Sequence, residues 1–274
     1  MAKVITDNKH YIAIADAIRS ASFGEIEGQM APHEFAHRIA EISTIGQEQG
    51  MAEGYTQGFE AGKESGIQSE YDRFWDGYQS SGAAKSYSRA FAGECWVNEL
   101  FAPKHDIVAT NIQAMFQGTA ITDITALLEK ADVYLDTSQS ANVEYAFNSR
   151  HITRLPVIST VSAPSLNTTF GWTSSLVTIE KLILKEDGTQ TFSSTFNSAL
   201  ALQNIAVEGK IGQNGFNVSW STKLTHDSLM SILGALQDKT GTSTTWSATL
   251  GTTNLAKLTD AEKAIATQKG WTLA

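Results

Sequence analysis

The stretch from Thr169 to Ile179 reads TFGWTSSLVTI and carries the spacing on which the predicted fold depends. Phe170 is followed by an apolar residue six positions later, Leu176, and by another nine positions later, Ile179. The same spacing, or one that is a residue shorter, recurs after four other phenylalanines: Phe91, Phe116, Phe147 and Phe196. The five phenylalanines lie 25, 31, 23 and 26 residues apart. A recurring pattern of this length predicts stacked units, each with a turn that carries a buried phenylalanine and a short strand.

The spacing also predicts where the strands lie. Four are expected after the turns: Ile121–Leu127, Ile152–Ile158, Leu176–Leu184 and Leu202–Val207. One unit cannot bury its own apolar edge, so we expect the units to form one continuous core with a parallel ladder of strands. The unequal distances between the phenylalanines indicate loops of unequal length.

Composition excludes several classes of protein. Of the 274 residues, 42% are apolar and 18% are charged, which predicts a packed core rather than global disorder. The net charge of -9 disfavours nucleic acid as a partner, because a nucleic-acid binder needs a basic face. Cys95 is the single cysteine, so no intrachain disulfide is expected. No apolar run reaches the length of a bilayer span and the first residues lack an apolar leader core, so neither membrane insertion nor a signal peptide is expected.

The composition changes near residue 82. Residues 1–80 hold 13 acidic and 6 basic side chains and are rich in Ala, Glu and Gly, whereas the remainder is rich in Ser, Thr, Asn and β-branched residues. Such a change predicts a domain boundary. The predicted segments are an N-terminal helical attachment module at 1–46, a Gly-rich helix or linker at 47–82, and a repeat domain at 83–274.

The end of the chain predicts a cap for the repeat domain, over about 222–274. Thr225 can cap a helix, and Trp246–Leu250 has the pattern of a last strand. Thr259 and Glu262 have the spacing of a capping box before a further helix. A cap is expected because the last of several stacked units would otherwise expose an apolar, unpaired surface.

Glycine recurs at every fourth position between residues 50 and 66. The glycines are Gly50, Gly54, Gly58, Gly62 and Gly66. Each glycine within a helix costs roughly 1 kcal/mol relative to alanine, so an isolated helix is implausible here. One interpretation is a flexible linker. The interpretation that we favour is a helix whose smooth glycine ridge lets another helix approach closely, in this chain or in a sister chain.

The pattern A-F-x-x-x-x-x-L-x-x-I around Phe91 and Phe147 resembles the BspA-type leucine-rich repeat, and the resemblance covers roughly residues 85–210. Asn8–Arg19, together with Met30–Ala36, resembles segments of tail and baseplate-region proteins of bacteriophages and prophages. The ending Leu258–Leu273 resembles the segment that closes phage-encoded repeat proteins of this type.

The resemblance implies an α+β fold. In it, the short N-terminal helical module and the Gly-rich helix precede a leucine-rich-repeat-like β-solenoid with a helical C-terminal cap. It implies a non-enzymatic structural protein of the phage tail or baseplate, located in the virion and made in the host cytoplasm. The implied partners are other virion proteins, a host cell-surface protein or glycan, and further copies of the chain, with a trimer as one possibility. No cofactor is implied.

The sequence contains two arrangements that are typical of catalytic or metal sites. His33-Glu34-Phe35-Ala36-His37 matches the zinc-binding H-E-x-x-H pattern, but Pro32 places the first histidine in the first turn of a helix, and Ser43 stands where a third histidine would be expected. Asp132 with Asp136, or Asp123 with Glu129, could form a carboxylate pair for glycoside cleavage. Acidic residues at this density are more often a solvated face, and we therefore predict no catalytic residue and no metal site.

Aromatic side chains in the predicted loops are the candidate binding residues. They are Trp172, Trp220, Tyr145 and Trp246. For each of them core or cap packing is one interpretation, and an exposed stacking surface for a sugar or a protein is the other. Trp172 is the first candidate because it follows Phe170 and Gly171 in a loop.

Two alternative functions stay open. A bacterial cell-surface adhesin with the same type of repeat would need a signal peptide and an anchoring motif. A tail-associated enzyme that degrades polysaccharide would need an acidic cleft.

Overall fold

We describe the fold from a computed structural model of the chain. The structure describes Trp75 and residues 84–93 and 96–274, all of which belong to one compact unit, Asp72–Ala274. The predicted helical module at 1–46, the glycine ridge with its five glycines, and the His33–His37 motif lie outside the described residues, as does Cys95.

Eight short strands and four helices have described bounds. In chain order they are β1 (Lys85–Ser86), β2 (Ile107–Asn111), α1 (Ile124–Ala131), β3 (Leu135–Asp136), β4 (Arg154–Ser159), β5 (Thr178–Ile183), β6 (Asn204–Glu208), α2 (His226–Ala235), β7 (Trp246–Ala248), α3 (Thr252–Leu255), α4 (Asp260–Gln268) and β8 (Trp271–Leu273).

The prediction of a single leucine-rich-repeat-like β-solenoid is wrong. The described strands form three separate small parallel sheets, in the orders β1-β2-β3, β4-β5-β6 and β7-β8, instead of one continuous ladder. Few helices lie between these sheets in the described residues, so the class is α+β with small parallel sheets.

Helix α1 is one physical reason for the interruption. It occupies the place where a strand was predicted at Ile121–Leu127, in the longest interval between the phenylalanines. The sequence from 124 to 131 contains Ala, Leu, Glu and Lys, which favour helix over strand. The side chain of Asp123 accepts a hydrogen bond from the N–H of Ala126 at 2.9 Å and so caps the first turn.

The turns that carry the phenylalanines do stack. The side chains of Phe91, Phe116, Phe147, Phe170 and Phe196 are all 0% exposed. Their ring centroids follow one another at 5.2, 5.8, 5.6 and 5.4 Å, with interplanar angles of 23°, 15°, 5° and 11°. We call this set the phenylalanine column. Trp75 packs at one end, 5.6 Å from Phe91, and Phe216 packs at the other, 5.8 Å from Phe196 and inclined at 66°.

Backbone hydrogen bonds join successive turns of the column. The N–H of each of the first four phenylalanines donates to the carbonyl of the residue before the next phenylalanine, at 2.8 to 3.0 Å. The residue two positions before each of the five phenylalanines has a positive φ, between 52° and 58°: Arg89, Ala114, Tyr145, Thr168 and Ser194. The turns therefore repeat one backbone conformation although the residue types at that position differ.

The middle sheet places the recurring apolar positions in register. Leu155 in β4 pairs with Ile179 in β5, which pairs with Ile205 in β6, and all three are buried. These are the positions eight or nine residues after Phe147, Phe170 and Phe196. The strand ends differ by a few residues from those predicted.

The C-terminal elements, from α2 to β8, follow β6, the last strand of the middle sheet. Thr225 caps α2, and the predicted capping box of Thr259 and Glu262 at the start of α4 is confirmed. The prediction that Trp246–Leu250 is the last strand is wrong, because β8 follows α4 and pairs in parallel with β7. Helix α4 supplies the crossover that two parallel strands require.

Candidate binding surface

Trp172 lies two residues after the buried Phe170 and is 49% exposed. Its backbone N–H donates to the carbonyl of Asn197 in the next turn at 2.6 Å. This hydrogen bond positions the backbone from which the indole projects. Its φ is +56°, in the left-handed region that favours glycine. A large exposed side chain is thus attached at a constrained point of the backbone.

Four of the five turns of the column have a positive φ at this position, and Ser149, two positions after Phe147, is the exception. The residues two positions after Phe91 and Phe116 are Gly93 and Gly118, and both have positive φ. Ser198, two positions after Phe196, has a φ of +59°. A non-glycine residue in this conformation costs about 1–2 kcal/mol, and half of the Trp172 side chain gains nothing from burial. Seven other non-glycine residues of the described chain share this conformation, so it is the exposure of a large aromatic side chain, and not the strain, that makes Trp172 a candidate for binding.

Two further apolar side chains are exposed on the following turns. Leu200 is 46% exposed and lies four residues after Phe196, and Trp220 is 52% exposed and lies four residues after Phe216. The hydroxyl of Ser221, next to Trp220, donates to the carbonyl of Ala199, next to Leu200, at 3.0 Å. We refer to the side chains of Trp172, Leu200 and Trp220, on three consecutive turns, as the Trp172–Trp220 surface.

The chain segments that build this surface carry no formal charge. Asp, Glu, Lys and Arg are absent from residues 155–179, 188–207 and 211–222. Two cations lie just beyond the last of these segments: Lys223 follows it, and the ammonium of Lys257 donates to the carbonyl of Thr222 at 2.8 Å. The polar residues beside the apolar side chains are instead neutral, and include Asn197, Ser198 and Ser219. The surface combines large apolar side chains with hydroxyl and amide groups, an arrangement suited to neutral partners.

Comparison of the chain with protein-family models, with curated proteins and with solved structures gives no match.

The other two predicted binding residues have different surroundings. Tyr145 is half-buried at one of the positive-φ positions, with φ +56°. Trp246 is half-buried in β7, where its indole N–H donates to the hydroxyl of Thr242 at 2.8 Å and the ammonium of Lys239 lies 4.3 Å from its ring centroid. Its ring also lies 5.8 Å from that of Trp271. The structure therefore leaves Trp172 and Trp220 exposed two turns apart, with Leu200 on the turn between them, and places Trp246 in the C-terminal elements.

Two members of the proposed carboxylate pairs have structural roles. Asp123 caps α1, and a carboxylate oxygen of Asp136 accepts the N–H of Ser138 at 2.8 Å. Among the residues that the structure describes, no group of three or more His, Cys, Asp or Glu side chains could hold a metal ion.

No helix within the described ranges is both long enough and apolar enough to cross a membrane.

The groups with shifted pKa values in the described part of the chain take part in turns and helix ends. Hydrogen bonds from the backbone N–H and hydroxyl of Thr189 lower the pKa of Asp187, and Thr240 lowers the pKa of Asp238 in the same way. Burial lowers the pKa of Lys269, whose ammonium donates to the carbonyls of Leu233 and Gly234 at 3.0 and 2.7 Å. Those two carbonyls belong to the last turn of α2, so this lysine stabilises a helix end.

Sequence reasoning singled out the two exposed tryptophans from their place in loops, but it missed Leu200. The signal for Leu200 is its spacing: it follows Phe196 by four residues, as Trp220 follows Phe216. The positive φ of Trp172 has no signal in its own residue type, and only alignment of the turns on Gly93 and Gly118 indicates it.

Proposed function

We propose that this chain is a non-enzymatic structural protein of a phage tail or baseplate, and that its C-terminal domain binds a component of the host-cell surface or another virion protein. The observation that carries the binding role is the exposure of Trp172, Leu200 and Trp220 on three consecutive turns beside a column of buried rings. Tryptophan dominates binding hot spots because it offers a large, rigid contact area.

The rigidity of the turns supports this role. A ligand that meets a preorganised surface loses less free energy in ordering it. The stacked phenylalanines and the hydrogen bonds between turns constrain the backbone that carries the exposed side chains, since Phe170, Phe196 and Phe216 follow one another at 5.4 and 5.8 Å.

The assignment to the virion rests on the resemblance of Asn8–Arg19 and Leu258–Leu273 to tail-region segments. In this proposal residues 1–82 attach the chain to the particle or to sister chains, and several copies convert weak contacts into avidity.

Electron microscopy of purified virions, labelled with gold-conjugated antibody to this chain, tests the location. Label at the tail or baseplate is the expected result, and unlabelled particles would contradict the virion assignment. Incubation of the protein with host polysaccharides tests the non-enzymatic role, because the release of new reducing ends would overturn it.

The binding role is tested with fluorescently labelled full-length protein on host cells. Wild-type protein should label the cells, and the double variant Trp172→Ala/Trp220→Ala should not. Tyr134→Ala is the matched control, because Tyr134 is 55% exposed but lies outside the Trp172–Trp220 surface. Equal labelling by all three proteins would show that another surface binds.

A further inference from the structure

We infer that the Trp172–Trp220 surface binds an uncharged glycan by stacking sugar rings on the two indoles. The inference rests on the proposed function and specifies the chemistry of the receptor.

The indole faces fit the apolar side of a sugar ring. One face of a pyranose presents C–H groups, which carry a small positive charge, and the face of an aromatic ring is its negative region. Trp172 and Trp220 are each about half exposed, so each has contact area left for a ligand. They lie two turns apart, with the exposed Leu200 on the turn between them, so a chain of sugars could contact more than one of the three side chains.

The polar groups beside the indoles fit hydroxyl groups. A hydroxyl both donates and accepts hydrogen bonds, as do the side chains of Ser198 and Ser219 and the amide of Asn197. These side chains already contact their neighbours: the Ser219 hydroxyl donates to Asn217 at 2.8 Å, which orients it. Neutral hydroxyl and amide groups between apolar contacts can therefore bond to the hydroxyl groups of a sugar.

The low density of charge argues against the other macromolecules, since the segments that carry the three exposed side chains hold no charged residue and the nearest cations, Lys223 and Lys257, lie at one end only. Single-stranded nucleic acid also stacks on aromatic side chains, but it needs a cationic groove along its backbone. The cores of protein interfaces are enriched in Arg and Met beside aromatic residues, whereas residues 188–207 and 211–222 contain neither. Arg150, on the turn before that of Trp172, could attract an anionic glycan. The test below therefore compares neutral glycans with anionic ones.

Gly171, the residue before Trp172, lies in close surroundings. A Cβ atom at residue 171 would lie 2.7 Å from Cγ2 of Thr168 and 3.3 Å from the carbonyl oxygen of Ser194. Either the Thr168 side chain or the backbone beside Trp172 must therefore move to accept a larger residue at 171. We expect Gly171→Ala to disturb the position of the indole without removing it.

The test is binding of the purified full-length chain to an array of neutral glucans, mannans and galactans and of anionic uronate and sialate polymers. Intrinsic tryptophan fluorescence then gives the affinity for each glycan that binds. We expect binding to at least one neutral glycan. Trp172→Ala and Trp220→Ala should each weaken it about tenfold or more, as expected for hot-spot residues, and Gly171→Ala should weaken it as well.

Tyr134→Ala should leave the affinity unchanged, and circular dichroism of every variant shows whether the fold persists. Binding to anionic polymers alone, binding that the tryptophan variants retain, or no glycan binding would each overturn the inference.

Treated host cells separate this inference from the proposed function. Loss of cell labelling after periodate oxidation of surface sugars, but not after protease, supports a glycan receptor. Loss after protease alone would leave the proposed function standing and overturn the glycan inference. If the chain binds neutral glycans on the array but is absent from virions and does not label host cells, the glycan inference stands and the proposed function is overturned.

Discussion

Residues with positive φ lie two positions before all five phenylalanines of the column and two positions after four of them, Phe147 being the exception, and most of these residues are not glycine. The backbone of the turn sets this requirement, because the hydrogen bonds to the next turn hold each peptide in place. Side chains at these positions are accepted at a cost in stability. Trp172 carries the same cost as these residues and differs from them in presenting a large, half-exposed aromatic side chain.

Gly118→Ala measures the backbone requirement alone. Gly118 has a φ of +67°, and an added Cβ would meet no atom within 4 Å. We expect a loss of about 1 kcal/mol in the free energy of unfolding, measured by urea denaturation, since only the strain of the left-handed conformation changes.

Gly234→Ala is the matched control for this variant. Gly234 lies in α2, is exposed, and also has no atom within 4 Å of an added Cβ. Because its conformation is helical, alanine should stabilise the protein by up to about 1 kcal/mol. Shifts of the same sign in the two variants would contradict the interpretation.

Glu262→Gln tests the pH dependence of the α4 capping box. Hydrogen bonds from the backbone N–H of Thr259, from His226 and from the Thr259 hydroxyl lower the pKa of Glu262 below 4.5. A carboxyl with a lowered pKa stabilises the fold above its unfolded pKa and ceases to do so as the pH falls through its folded pKa. We therefore expect wild-type protein to melt at a higher temperature than the variant at pH 7, and the difference to shrink below about pH 4.5.

The control for Glu262→Gln is Glu129→Gln, at an exposed carboxylate near the end of α1. This variant should change the melting temperature little at any pH in this range. A difference between wild type and Glu262→Gln that stays constant down to pH 3 would contradict the role given to Glu262.

At the scale of elements, the helix ends were more predictable than the strands. Thr225, Thr259 and Glu262 have local signals that act within one turn of helix, and the structure agrees with them. The break between the first two sheets could not be predicted from the apolar spacing, because residues 121–127 show the same pattern as the strands that do form. At this place the local helix propensity and the cap at Asp123 outweigh the strand-like apolar spacing, and a helix forms.

Asp123→Ala tests this account of α1. Loss of the side-chain acceptor for the Ala126 N–H should lower the free energy of unfolding by about 1 kcal/mol. Asp123→Asn keeps an oxygen acceptor and should lose much less. Equal losses in the two variants would mean that the charge, and not the cap, stabilises α1.

At the scale of the whole described unit, the phenylalanine column could be predicted and the arrangement of the sheets could not. The spacing of apolar residues reports which side chains are buried together, as at Leu155, Ile179 and Ile205. It does not report whether backbone pairing continues from one unit to the next, since that depends on the length and helicity of the intervening loop. The exposed surface was predictable only as a set of candidate aromatic residues.

Phe147→Ala tests the importance of the column. Phe147 is fully buried between Phe116 and Phe170, so the variant leaves a cavity with ring faces on both sides. The expected loss is about 3–5 kcal/mol in the free energy of unfolding, measured by chemical denaturation. Tyr134→Ala, at a side chain that is 55% exposed, should change it by about 0.5 kcal/mol or less. A loss at Phe147 as small as that at Tyr134 would show that the column adds little to stability.

The face-to-face packing of Phe147 has a further consequence for motion. Its ring lies 5.8 Å from one neighbour and 5.6 Å from the other, in a densely packed interior, so a half-turn about its Cβ–Cγ axis requires both neighbours to move apart. Each neighbour is confined in turn by the next ring. The rings thus behave as coupled rotors, and the rate at which any one of them flips reports transient expansion along the whole row.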